Sequence, residues 1–170
     1  MHFAKHAAFA LALLMFCPCA PGWAAEAQQA KTPRVDIPVQ PKEAKVVIDM
    51  DHLVFSGDQP VGFLQMAGIL RAYKAAQVPV HIVAVFHGPA GYMILNDAAY
   101  NAARKSWYGN PFKGQIKDLQ EQGVQFEMCV NTAKHNGWMN EDLLPDVKVN
   151  GGATIRIIQL MQDGYVQLHP

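Results

Sequence analysis

Residues 123–137 have the sequence Gly-Val-Gln-Phe-Glu-Met-Cys-Val-Asn-Thr-Ala-Lys-His-Asn-Gly, which joins one predicted strand to one predicted helix. The run from Val124 to Met128 predicts a short buried strand. Asn131 and Thr132 belong to the residue types that cap helix N-termini, and the glycine that ends the segment is typical of a helix end. Cys129 is therefore expected where a strand meets the beginning of a helix.

This position has a chemical consequence for the Cys129 thiol. A helix N-terminus carries partial positive charge and unpaired backbone N–H groups. Both favour the thiolate, which is the nucleophilic form of cysteine. The alternative is that Cys129 is a small buried apolar residue, as most free cysteines are.

The N-terminal segment, Met1 to Ala25, predicts a secretory signal peptide. Lys5 supplies its positive charge, and the apolar run from Ala7 to Phe16 is too short to span a membrane. Small residues follow the apolar run, and cleavage after Ala24 or Ala27 fits the small-x-small pattern of signal-peptide cleavage sites. The protein is accordingly expected in the periplasm, without membrane attachment after cleavage.

Two alternatives for this segment are a retained N-terminal anchor and a lipoprotein modified at Cys17 or Cys19. Phe16 and Pro18 precede these cysteines, where a lipidated cysteine normally follows a small residue. If the signal peptide is removed, Cys129 is the only cysteine of the mature chain. An unpaired cysteine in an exported protein indicates a reactive thiol or intermolecular pairing.

Residues 26–44 predict an extended linker, because they contain Pro33, Pro38 and Pro41 and no apolar period. The chain has 14 basic and 14 acidic side chains, and its lysines are scattered. This balance gives no indication of nucleic-acid binding or of a basic membrane-binding patch. Residues 45–170 are expected to form a single domain.

Apolar strands and amphipathic helices alternate along this domain. The predicted strands are 45–50, 80–86, 124–128, 146–149 and 165–168, and the predicted helices are 60–77, 91–105, 111–122, 131–137 and 153–162. Such alternation predicts parallel β-α-β units with right-handed crossovers. The expected fold is a three-layer α/β/α sandwich of about five mostly parallel strands, broadly flavodoxin-like.

Ligands and reacting groups gather at the carboxyl ends of the strands in such sheets. Cys129 and His87 both follow predicted strands, and a protonated His87 on a neighbouring strand would stabilise the thiolate. They are the candidate catalytic residues, and the alternative for His87 is a hydrogen-bonded loop histidine. The candidate ligand-binding residues are Asn131, Gly88 and Gly151. Gly151 begins a glycine pair that either admits an anion or forms a tight turn.

No metal or cofactor is predicted, because none of the histidines after the signal peptide has the local spacing of a metal site. Asp49-Met50-Asp51 is similar to the nucleophile motif of haloacid-dehalogenase-type phosphatases. The rest of that pattern is missing, since the second predicted strand ends in Phe-His-Gly, at 86–88, where that family has Ser or Thr. The two aspartates are better interpreted as caps of a strand-end turn.

Several segments together resemble the DsrE/DsrF-like family over residues 45–170. They are Val-Phe-His-Gly-Pro at 85–89, Gly-Val-Gln-Phe-Glu-Met-Cys-Val-Asn-Thr at 123–132, Glu-Asp-Leu-Leu-Pro at 141–145 and Gln-Asp-Gly-Tyr at 162–165. The resemblance implies a parallel-sheet α/β/α fold and homo-oligomers, commonly trimers or hexamers. In the best-understood branches a cysteine carries persulfide sulfur between proteins, and Cys129 matches that cysteine.

The resulting hypothesis is a periplasmic sulfur carrier, a possible sulfurtransferase, in which Cys129 exchanges sulfur with a donor and an acceptor protein. The alternative is a non-catalytic oligomeric module that binds a small ligand or metal in the same cleft. The apolar last helix, residues 153–162, predicts a homo-oligomer larger than a dimer, because one flank of the sheet cannot bury all of its apolar side chains.

Overall fold

The computed structural model of the protein describes residues 32–170. The predicted signal peptide and the first part of the predicted linker lie outside the described residues. The chain divides into two units, Met1–Pro38 and Val39–Pro170. In the described part of the first unit, residues 32–38, there is no helix or strand.

The second unit alternates strands and helices. Its strands are β1 (Ala44–Met50), β2 (Phe55–Ser56), β3 (Gln59–Pro60), β4 (Val80–Phe86), β5 (Gln125–Cys129), β6 (Lys148–Asn150) and β7 (Val166–Leu168). Its α-helices are α1 (Val61–Ala76), α2 (Asp97–Arg104), α3 (Lys113–Glu121), α4 (Val130–Asn136) and α5 (Ala153–Gln162). Two 3-10 helices span Gly88–Ile94 and Asn140–Asp142. Among these described helices, none is both long and apolar enough to cross a membrane.

Five of the strands form one parallel sheet with the order β6-β5-β4-β1-β7. The predicted α/β/α architecture with mostly parallel strands is confirmed. Counted along the chain, the strand order is 4-3-2-1-5, which differs from the 2-1-3-4-5 order of flavodoxin. The likeness to flavodoxin therefore extends to the layers and not to the strand order. β6 and β7 lie at the two edges.

The two faces of the sheet are covered unequally. Val46, Ile48 and Met50 of β1 belong to a large core whose members also come from α1, α3 and α4. Val47, between them, belongs to a smaller core on the opposite face. This smaller core is completed by α5, and its members are Val47, Val83, Val85, Cys129, Ala153, Ile157 and Leu160. Cys129 thus lies on the face that α5 covers.

One predicted helix is interrupted in the structure. Residues 91–105 were expected to form a single helix, but the 3-10 helix ends at Ile94 and α2 begins at Asp97. Asn96 is the N-cap of α2, and its side-chain oxygen accepts a hydrogen bond from the Ala99 N–H at 2.9 Å. A side chain that caps the second segment in this way favours a new helix start over continuation. Between the predicted strand 45–50 and the helix α1, the structure adds the short antiparallel pair β2–β3, which was not predicted.

Candidate functional site

Cys129 is the last residue of β5 and the N-cap of α4. Its neighbour across the sheet is Asn150 of β6. The prediction that Asn131 or Thr132 caps the helix is wrong, because α4 already begins at Val130. Both residues lie in the first turn instead, where their backbone N–H groups point towards the end of β5. The thiol is therefore one residue closer to the helix than the sequence indicated.

A second helix also begins at the thiol. The backbone N–H of Ala153, the first residue of α5, donates a hydrogen bond to Cys129 Sγ at 3.3 Å. Gly152 precedes it with φ +140°, a conformation that side chains rarely adopt. The glycine pair thus makes a tight turn that aims the start of α5 at Cys129. Such a turn was one of the two alternatives for the glycine pair, but its contact with the thiol was not predicted.

These contacts determine the protonation of Cys129. Burial raises the pKa of its thiol, since the residue is only 4% exposed. Hydrogen bonds from the backbone N–H groups of Thr132, Ala153 and Asn131, and from the Thr132 side chain, outweigh burial and bring the pKa below its ordinary value. The arrangement favours the thiolate, because each of these donors is satisfied best by the charged sulfur.

A buried ion pair holds α5 against β5. Glu127, two residues before Cys129, is 2% exposed. Arg156 of α5 donates to both of its carboxylate oxygens, with Nε at 3.1 and 3.0 Å and Nη2 at 2.9 Å. Burial raises the pKa of Glu127, but the bonds from Arg156 and Asn150 outweigh burial and lower it. The carboxylate is therefore ionised, and the pair fixes the helix whose first N–H contacts Cys129.

His87 follows β4 and pairs with a carboxylate of the neighbouring strand. Its Nε2 lies 2.7 Å from Oδ1 of Asp49, whose other oxygen accepts a hydrogen bond from Gln167 at 2.9 Å. The bond with Asp49 raises the pKa of His87, burial opposes this rise, and the charges of Asp49, Asp51 and Cys129 add to it. The imidazolium is thus favoured beside the thiolate.

The structure brings most of the predicted site residues to one small pocket of about 290 Å³. Four of the lining residues were predicted, namely His87, Cys129, Asn131 and Gly151. Gly88 lies in an adjoining pocket that shares Asn131 and Thr132. Its N–H donates to the Thr132 hydroxyl at 2.9 Å, so Gly88 is connected to the thiol through Thr132.

A second polar cluster lies at the ends of β1 and β7. The ligating atoms of Asp51, His52 and His169 all lie within 4.8 Å of one another. Burial raises the pKa of Asp51, but hydrogen bonds with both histidines outweigh it, and the pKa is lowered. Local spacing gave no sign of this cluster, since His169 is 118 residues away from Asp51. Among the described residues, this set has the composition of a metal site.

The fold and the site define a parallel α/β/α protein with a thiol at a strand end. Residues 45–170 match the model of the DsrE/DsrF-like family, and the chain belongs to that family. The family is associated with sulfur relay in general.

Solved structures agree on the fold. The protein of unknown function MTH1491 from Methanobacterium thermoautotrophicum is 22% identical, with a TM-score of 0.54 over 76% of this chain and 100% of that one. The ychN protein from E. coli is 15% identical, with a TM-score of 0.51 over 75% of this chain and 99% of that one. At these identities the likeness shows the fold alone. No curated protein matches the chain.

Proposed function

We propose that the protein is a periplasmic sulfur carrier, in which Cys129 accepts and donates sulfane sulfur. The observation that carries the proposal is the Cys129 thiol, whose pKa is lowered by N–H groups from the starts of α4 and α5. A low pKa places more of the thiol in its nucleophilic form at neutral pH. Membership of a family associated with sulfur relay supports the same role.

The proposed reaction is thiol–persulfide exchange. The Cys129 thiolate attacks the outer sulfur of a persulfide or polysulfide donor, and an Sγ–S bond forms as the donor S–S bond breaks. A persulfide donor leaves as a thiolate and a polysulfide donor leaves as a polysulfide one sulfur shorter, so sulfur is transferred without net oxidation or reduction. An acceptor thiolate then attacks the outer sulfur, and Cys129 leaves as its thiolate. The His87 imidazolium lines the same pocket and can protonate the departing thiolate.

The small exposure of Cys129 restricts the donor. With 4% of the residue accessible, the donor sulfur has to enter the pocket formed by His87, Asn131 and Gly151. A slim inorganic polysulfide, or a persulfide on an extended side chain, meets this requirement. We therefore use inorganic polysulfide as the donor in the test.

Intact-mass spectrometry after incubation with polysulfide is expected to show one added sulfur atom on the wild type. Cys129→Ser should show none. The double variant Cys17→Ser/Cys19→Ser is the control for the other cysteines and should retain the adduct. The same spectrum gives the mature N-terminus, which we expect between Ala25 and Gln28 if the chain is exported.

The pH dependence separates a reactive thiol from a structural one. Adduct formation should rise with pH around a midpoint below that of an ordinary thiol, roughly 8.5, because hydrogen bonds to Sγ favour the thiolate. His87→Ala should move the midpoint upward, since it removes a nearby cation. Failure of the wild type to gain sulfur at any pH would favour the binding module over the carrier.

We also propose that α5 forms a subunit interface in an oligomer larger than a dimer, such as a trimer or hexamer. It is the helix that covers the smaller core, yet Ile155, Ile158 and Met161 are 71%, 47% and 49% exposed. Apolar side chains grouped on one helix favour contact with another chain.

Ile158→Asp is expected to shift the oligomer towards monomer, because the new charge would have to be buried at the interface. Light scattering across a range of protein concentrations measures the change. Leu64→Asp is the matched control, since Leu64 is 45% exposed on α1, outside the smaller core. Dissociation by both variants, or a wild type that is monomeric at micromolar concentration, would contradict the proposed interface.

A further inference from the structure

The cluster of Asp51, His52 and His169 lies where the strand order of the sheet reverses. β4, β5 and β6 succeed one another on one side of β1, whereas β7 lies on its other side. Parallel α/β sheets bind ligands outside the carboxyl ends of their strands at such a switch point. Asp51 follows β1 and His169 follows β7, so the two strands that flank the reversal each contribute to the cluster.

The three side chains converge on one point. His169 Nε2 lies 2.8 Å from Asp51 Oδ1, and His52 Nδ1 contacts the same oxygen. The two imidazole rings have their centroids 4.8 Å apart. Each nitrogen is thus near a single carboxylate oxygen, and a small rotation of these side chains can place all three ligand atoms around one ion. The side chains are 37–46% exposed, so an ion and its water can enter.

The backbone that presents His169 is well anchored. β7 pairs in parallel with β1 from Val46↔Val166 to Ile48↔Leu168. Pro170, the residue after His169, packs beside α1, where a Cβ added at Gly62 would lie 3.1 Å from its ring. His169 is held between these two contacts. The loop after β1 supplies Asp51 and His52 from adjacent positions, so the ligand set is largely pre-organised.

We propose that Asp51, His52 and His169 bind a divalent transition-metal ion, with Zn²⁺ as the ion that fits this ligand set best. Imidazole suits zinc, copper and nickel, whereas magnesium and calcium prefer oxygen ligands. Two imidazoles and one carboxylate are the ligands of open zinc sites, in which water or substrate takes the fourth position. The site is separate from the thiol, since none of its ligands lines the Cys129 pocket.

Calorimetric titration of the purified full chain with zinc chloride is expected to show one ion bound per chain. Asp51→Asn, His52→Ala and His169→Ala should each weaken binding at least about tenfold, because even residues outside the ligand set change metal affinity by that factor. His81→Ala and His135→Ala are the matched controls and should leave the affinity unchanged. Magnesium chloride should give no binding.

Thermal unfolding gives a second measurement that does not depend on the heat of binding. Zinc should raise the unfolding temperature of the wild type, because an ion that binds the folded chain stabilises it. The increase should disappear in the His52→Ala/His169→Ala double variant. This variant should fold normally without zinc, since both side chains are nearly half exposed and neither belongs to a hydrophobic core.

The proposal is overturned if the wild type binds no zinc, or if the double variant binds it as well as the wild type does. It is also overturned if Cys129→Ser or Cys17→Ser/Cys19→Ser abolishes binding, because the ion would then be held by a thiol. Since the expected result requires full zinc affinity in Cys129→Ser, success or failure here is independent of the sulfur-carrier proposal.

Discussion

Replacing Arg156 with Met is expected to lower the free energy of unfolding by about 3 kcal/mol at neutral pH. The substitution leaves the Glu127 carboxylate buried without its cation, and removing one partner of a buried pair typically costs about 3–5 kcal/mol. The lower end applies because the Arg156 side chain is 24% exposed, against 3% for Glu127. Urea unfolding of both proteins measures the difference, provided that the slope is unchanged.

The loss of unfolding free energy in Arg156→Met, called the deficit below, should depend on pH. In the wild type the pKa of Glu127 is lowered, so its contribution to stability is present above the pKa of the unfolded chain and is lost as the pH falls through the folded-state value. In the variant, burial without a cation raises this pKa, and protonation relieves the unpaired charge. The deficit is therefore largest at neutral pH and shrinks as the pH falls towards about 4.

Two controls separate the buried pair from a general loss of charge. Lys117→Met also removes one cation, but the Lys117–Glu121 pair is exposed, so we expect a change of only about 0–1 kcal/mol. Combining Arg156→Met with Glu127→Gln should recover part of the stability, because no charge is left buried. A deficit that persists unchanged in this double variant would show that packing of the Arg156 stem, and not charge, is responsible.

Replacing Phe126 with Ala is expected to cost about 4 kcal/mol, the middle of the range for removing a buried aromatic ring. Phe126 is fully buried, stacks on Phe86 at a centroid distance of 5.7 Å and meets Phe63 edge-on at 6.4 Å. The cavity would lie within the larger core. Trp107→Ala removes a ring that is 88% exposed, and it should change the unfolding free energy by no more than about 0.5 kcal/mol.

The two destabilised variants, Arg156→Met and Phe126→Ala, should differ in the pKa of the Cys129 thiol. Phe126 lies in the larger core, whereas Cys129 lies in the smaller one beneath α5. Arg156→Met loosens the helix whose Ala153 N–H contacts Sγ, so we expect it to raise the pKa of Cys129. Phe126→Ala should leave that pKa unchanged under conditions where the protein is folded. An equal rise in both variants, measured from alkylation rates, would mean that the rise reflects instability and not the position of α5.

Local patterns were sufficient to predict the parallel sheet and the position of Cys129. Apolar runs such as 80–86, each followed by a helical pattern, indicate the fold class. Strand and helix patterns can both be recognised locally, because each depends on residues that are close in sequence. His87 was expected near Cys129 only on the condition that their strands are neighbours, and the pairing of β4 with β5 meets that condition. The break at Asn96 was missed because a single capping side chain overrode a helical pattern that continued through it.

The unpredicted contacts connect residues that are distant in sequence. Ala153 donates to Cys129 across 24 positions, Arg156 meets Glu127 across 29, and His169 reaches Asp51 across 118. Their positions depend on the strand order, in particular on the placement of β7 beside β1. Alternation of strands and helices fixes the parallel class but leaves this order open. A search for local metal-ligand spacing therefore could not find the histidine cluster.

The edges of the sheet bear on the solubility of the protein. A long exposed edge strand is a template on which strands of other chains can add, which leads to ordered aggregates. Both edge strands here, β6 and β7, are only three residues long, and the exposed Lys148 places a charge on one of them. Strand addition is thereby disfavoured at both edges, so the contact between copies proposed for α5 would form without pairing of their sheets.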